Sequence, residues 1–177
     1  MAGTSGAGKS TLAARVAGVL GLPYVEIDAL FHGPGWVPRV TFQEEVKAVA
    51  ASPGWVTEWQ YEAVRPLLLA RAELLVWLDL SRTVVVRQVG ARTVRRWVRR
   101  EVLWNGNLEP PLHTVLTDPG HVVRWAWSTH HETTRRVAGV LERRPELVVV
   151  RLRNRRDVDR WVDGPLRGAA EDPAPAG

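Results

Sequence analysis

Cysteine is absent from the 177 residues, which excludes disulfides and every thiolate site for zinc or iron–sulfur chemistry. No apolar run approaches the roughly 20 residues needed to cross a bilayer, and no stretch reads as a signal peptide. These absences lead to the expectation of a cytoplasmic protein without a membrane partner. Lysine is nearly absent too: of 24 basic residues only Lys9 and Lys47 are lysines, and the rest are arginines. Phenylalanine and tyrosine occur twice each, so the aromatic content is mostly nine tryptophans, which follow no repeat period and are expected as core or pocket walls.

What is present describes one globular domain, with 45% apolar and 24% charged residues. The net charge of +5 is unevenly spread. Residues 1–80 hold six basic against eight acidic side chains, whereas 81–177 hold 18 against 11. Seven arginines, Arg82, Arg87, Arg92, Arg95, Arg96, Arg99 and Arg100, precede the next acid at Glu101. Such a run suits a clamp on phosphates, a nucleic-acid patch or a solvated surface, and composition leaves all three open.

One segment is far more specific. Gly3-Thr4-Ser5-Gly6-Ala7-Gly8-Lys9-Ser10 matches G-x-x-x-x-G-K-[ST] at every fixed position, the pattern of a loop whose backbone N–H groups cradle a nucleotide triphosphate. In a chain that otherwise favours arginine, a lysine here is informative. A compact ammonium can enter between β- and γ-phosphate oxygens where a planar guanidinium needs a wider fork. Leu12, Val16, Val19 and Leu20 then recur at helical spacing, so the loop opens onto a helix whose N-terminus favours an anion.

Further along, strands are predicted over 24–28, 55–59, 74–80 and 147–152, the third a nearly continuous apolar run as in a buried parallel sheet. Helices are predicted from Thr41 and Glu44, a capping box, to Ala51, and over 63–71, 82–103 (with Val85, Val89 and Trp97 inward), 122–143 and 156–162. Residues 104–121, broken by Asn105-Gly106, Pro110-Pro111 and Asp118-Pro119-Gly120, read as a long functional loop. Alternating strands and helices specify a three-layer α/β domain over 1–166, with a mobile lid at about 92–121 and a disordered tail over 167–177.

With these features the chain resembles the small P-loop kinases of the adenylate and shikimate kinase type, and within them the bacterial ATPases called topology modulation proteins. The resemblance spans roughly residues 1–162. It is carried by Gly3 to Thr11, by Asp28-Ala29-Leu30-Phe31 with Gly35-Trp36, and by residues 55–61. It implies a P-loop NTPase with a parallel five-stranded sheet of order 2-3-1-4-5, the loop following the central first strand. Only Met1 and Ala2 precede Gly3, so that strand is largely missing. About five to ten further Val-, Ile- or Leu-rich residues upstream are expected.

The resemblance also distributes roles. ATP and Mg²⁺ are the implied ligands, and a small-molecule or nucleotide acceptor the implied partner, with nucleic acid the alternative that the topology-modulation name suggests. Gly3, Thr4, Ser5, Gly6, Ala7 and Gly8 would wrap the phosphates, Lys9 would reach the β- and γ-phosphates, Ser10 would ligate Mg²⁺, and Thr11 would bond the α-phosphate. Asp28 is the candidate for orienting or deprotonating an acceptor hydroxyl, or else a turn cap. The metal-proximal acid is Glu58 or Asp79, with Glu58 favoured. Arg92, Arg95, Arg96 and Arg99 share a helix face suited to converging on phosphates. Arg65 could hold the acceptor, and Arg153 or Asn154 would pass the adenine. His130-His131 reads as a solvated pair, since adjacent helical side chains diverge.

Overall fold

The computed structural model describes residues 1–107, Trp127 and 130–171. It is an α/β structure. β1 (Ala2–Gly3), β4 (Leu74–Leu78) and β5 (Val148–Leu152) form a three-stranded parallel sheet in the order β1-β4-β5. β2 (Tyr24–Val25) and β3 (Val56–Thr57) form a separate parallel pair. Two hydrogen bonds run between the groups: the Met1 amino group donates to the Thr57 carbonyl at 2.6 Å, and Trp59 N–H donates to the Met1 carbonyl at 2.7 Å. Ala2 pairs with Trp77 and Gly3 with Leu78, so β1 meets only the C-terminal end of β4.

Both faces of β4 are covered, which explains its unbroken apolar sequence. Val76 and Leu78 join a cluster with Leu12 and Val16 of α1 (Lys9–Leu20) and Val85 and Val89 of α5 (Arg82–Arg99). Leu75 and Trp77, pointing the other way, pack with Val137 and Val140 of α6 (His130–Arg143). A third cluster, separate from the sheet, joins α2 (Ile27–Phe31), α3 (Phe42–Ala51) and α4 (Arg65–Arg71) through Ile27, Phe42, Val46, Val64 and Leu68. The chain closes with α7 (Arg155–Trp161), a π-helical turn (Val162–Leu166) and a last helix (Arg167–Glu171).

Several expectations are corrected. The second strand ends at Val25, and Asp28 lies in the first turn of α2 rather than at a strand end. Thr41 occupies the N-cap of α3 but makes no side-chain capping bond. α5 stops at Arg99, because Arg100 takes the left-handed conformation at φ 47°, and Trp97 on its outer side is 46% exposed rather than inward. Order continues past the predicted boundary at residue 167, since Leu166 is buried and the helix behind it reaches Glu171. The predicted loop and helix over 108–126, and 172–177 of the tail, lie outside the described residues.

Candidate functional site

The loop from β1 to α1 is shaped by its glycines. Gly6 adopts φ +80°, and a Cβ there would sit 1.9 Å from Cγ2 of Val89, which is itself fully buried. Gly8, at φ +92°, is the N-cap of α1, so the helix's first N–H groups open directly onto the loop. The loop closes on itself through Ala7 N–H, which donates to the Thr4 carbonyl at 3.1 Å. Lys9 Nζ donates to the same carbonyl at 3.2 Å and is 6% exposed. Burial lowers its pKa to about 8, against the raising influence of Asp28 and Glu58, while Arg92 adds to the lowering.

All nine residues from Gly3 to Thr11 line one cleft of about 1340 Å³. The three candidate acids stand differently around it. Asp28 is in the lining, and its Oδ1 accepts from Tyr61 Oη at 2.6 Å and Gln60 Nε2 at 2.9 Å. Glu58, 1% exposed, lies behind the lining, where Oε1 accepts from the Tyr24 hydroxyl at 2.6 Å and Oε2 from Ile27 N–H at 3.1 Å. Asp79 also lies outside the lining, and its Oδ2 accepts from Arg151 Nε at 2.8 Å and Nη2 at 2.5 Å.

The tyrosines behave as donors. Burial first, then the hydrogen bond to Glu58, raises the Tyr24 pKa, and the Ser10 side chain acts on the same hydroxyl from the loop side. Burial and then the Asp28 charge raise that of Tyr61. Among the described residues no group of three His, Cys, Asp or Glu side chains could hold a metal alone.

Of the predicted arginine face, Arg92, Arg95 and Arg96 line the cleft, but Arg99 is exposed and outside the lining, at the last position of α5. Arg65 and Arg136 line it on another side. Burial and then the charge of Arg136 hold the Arg65 pKa below its usual value. At the remaining end stand Arg153 and Asn154, the latter capping α7 by accepting from Asp157 N–H at 2.9 Å. His131 is exposed.

Sequence reasoning missed Tyr24, and it missed His32, which lines the cleft beside Trp36 and Trp104, two of the tryptophans expected as core or pocket walls. It also missed Asn107, 5% exposed, whose side chain bonds to Trp36 N–H and the Gly33 carbonyl. The partners of Asn107 lie 71 and 74 residues away, so no local spacing signals the contact. No family model, curated protein or solved structure matches the chain.

Proposed function

We propose that the chain is a P-loop phosphotransferase that moves the γ-phosphoryl group of ATP to a small acceptor. One observation carries this reading: a complete phosphate-binding loop with its buried lysine and a hydrogen-bonded carboxylate, Asp28, line the same cleft. The cleft's volume supports two ligands, since about 300 to 1,000 Å³ is usual for a single small-molecule site. The two bonds at Met1 support a sheet continuous in the order 2-3-1-4-5, with the loop leaving its centre.

Phosphoryl transfer asks the protein for placement and charge more than for covalent chemistry. In this account Lys9 and the first N–H groups of α1 hold the β- and γ-phosphates. Arg92 and Arg96 approach from α5 and stabilise charge on the transferred group. The Ser10 hydroxyl would hold Mg²⁺, which when bound neutralises phosphate charge. Glu58 supports that hydroxyl through Tyr24 and the start of α2 through Ile27, acting from behind the cleft. Asp28, fixed by Tyr61 and Gln60, orients the acceptor hydroxyl. As the oxygen–phosphorus bond forms and the bond to the leaving ADP oxygen breaks, Asp28 accepts the hydroxyl proton. Arg153 and Asn154 border the base.

The test is ATP turnover by wild type and Lys9→Ala, with and without a panel of small metabolites and with duplex DNA. Stimulation by a metabolite, lost in Lys9→Ala, supports the reading. Stimulation by DNA alone would replace it with that of a nucleic-acid-associated ATPase.

A further inference from the structure

Three arginines at α5 have no place in the cleft. Arg87, Arg99 and Arg100 are exposed and outside its lining, and none of them forms an ion pair among the described residues. No acid occurs between Arg82 and Arg99, and Glu101, the next in the chain, is already shared by Arg95 and Arg96 at 3.7 Å each.

The same helix is apolar where it meets solvent. Its core side is carried by Val85, Val89 and Thr93. Val94, Trp97 and Val98 follow the i, i+3, i+4 spacing of another face and are exposed, Val98 by 66%, and Val102 just past the helix end is exposed by 71%. A single exposed valine is ordinary, but four large apolar side chains within nine residues form a patch. None of the four lines the cleft. Each residue of a helix turns the chain by about 100°, which sets Arg95 and Arg99 beside Val94 and Val98, while Arg87 lies two turns back in line with Val94. The patch therefore has a basic border.

Charge and shape select what covers it. Two copies of this face would set arginine against arginine, since α5 carries no acid. Nucleic acid would satisfy the arginines but press the valines against phosphates. A partner helix needs a groove, whereas the exposure of Val98 and Val102 makes this end of α5 a convex ridge. A lipid surface conforms to a ridge, takes valine and tryptophan at the boundary of headgroups and acyl chains, and brings anionic headgroups to the arginines.

We propose that Val94, Trp97, Val98 and Val102, bordered by Arg87, Arg95, Arg99 and Arg100, dock on an anionic phospholipid surface. Such docking replaces the expectation of a chain without a membrane partner. Among the described residues no helix is long and apolar enough to cross a bilayer, which bears on spanning a membrane and not on lying against one. The face is independent of the cleft's chemistry, and Arg92 and Arg96 of the same helix stay in the cleft lining.

Co-sedimentation of the full chain with vesicles tests the docking, with phosphatidylcholine alone set against two parts phosphatidylcholine to one part phosphatidylserine. Wild type is expected to bind the mixed vesicles at least about tenfold more tightly, a margin that shrinks as salt rises. The double variant Val98→Gln with Val102→Gln keeps every charge and should lower affinity for mixed vesicles by about tenfold or more, with circular dichroism confirming the fold. Arg99→Glu should narrow the margin between the two vesicle types. Mixed vesicles should shift tryptophan emission of wild type to the blue, and Trp97→Phe should remove most of that shift. Equal binding to both vesicle types would overturn the docking surface. So would full affinity in the folded double variant, because basic charge alone would then account for binding. Capture of a duplex DNA oligonucleotide by wild type that ignores mixed vesicles, or a dimer in sedimentation velocity that the double variant dissociates, would give the face to another occupant and overturn it as well.

Discussion

The Tyr24 hydroxyl donates to Glu58 Oε1 at 2.6 Å, and through this contact a carboxylate that is 1% exposed is committed to β2 and the start of α2 instead of the cleft. Tyr24→Phe leaves Oε1 without that donor, so a loss of about 1 to 3 kcal/mol in unfolding free energy is expected from urea titration. Glu58→Gln should depress Mg²⁺-dependent turnover much more than Asp79→Asn, because the Asp79 partner, Arg151, lies away from the cleft. Equal effects of the two amides would return Asp79 to consideration as the metal-proximal acid.

Gly6→Ala brings two penalties together, a methyl 1.9 Å from Val89 Cγ2 and a left-handed backbone at φ +80°. A destabilisation of about 1 to 3 kcal/mol is expected, together with loss of nucleotide binding. Adding Val89→Ala should restore nucleotide binding in part, since it clears the methyl but not the backbone strain. Thermal melts and nucleotide titrations of the three variants check this, and a double variant no better than Gly6→Ala would mean that strain alone decides.

Lys9 gives a pH dependence with a definite sign. Its folded pKa, lowered by burial to about 8 from 10.5, leaves the folded chain with fewer protons than the unfolded chain between those values. The buried ammonium therefore costs stability below pH 8, a cost relieved as pH rises toward 10.5. Nucleotide binding runs the other way, because phosphates need the charged form. Affinity should fall about tenfold between pH 7 and 9, with proton uptake near pH 8. Calorimetry in buffers of different ionisation enthalpy detects that uptake, and Lys9→Ala should abolish it.

Position along α5 separates the arginines. Arg96→Ala should lower kcat/KM by about 100-fold, as expected on losing a charge aimed at the transferred group. Arg99→Ala, on an exposed side chain outside the lining, should change it less than about twofold. Steady-state kinetics of the two variants, with comparable losses in both, would show that the whole helix face acts together.

The turn from β1 into α1 was legible because its requirement is local: glycines where φ is positive, and a helix that starts at Lys9. β4 was legible because burial on two faces leaves only apolar residues. Asp28 was misplaced for the opposite reason. Residues 24–28 alternate as a strand does, but the N–H of Ile27 is taken by Glu58, 31 residues later, and the chain coils into α2 at that point. Trp97 was assigned inward from helical spacing, yet the buried face of α5 is carried by Val85, Val89 and Thr93. The clasp at Asn107 depends on backbone groups of a distant turn, which no periodicity encodes.

Phosphoryl transfer is decided by following the label from [γ-³²P]ATP in the presence of Mg²⁺ and a metabolite panel, with wild type and Lys9→Ala side by side. Transfer to a small acceptor by wild type is expected. Folded Lys9→Ala is expected to lose about 2 to 4 kcal/mol of transition-state stabilisation, roughly 30- to 1,000-fold in rate. Label that remains in ATP with wild type, or transfer by folded Lys9→Ala at the wild-type rate, would contradict it.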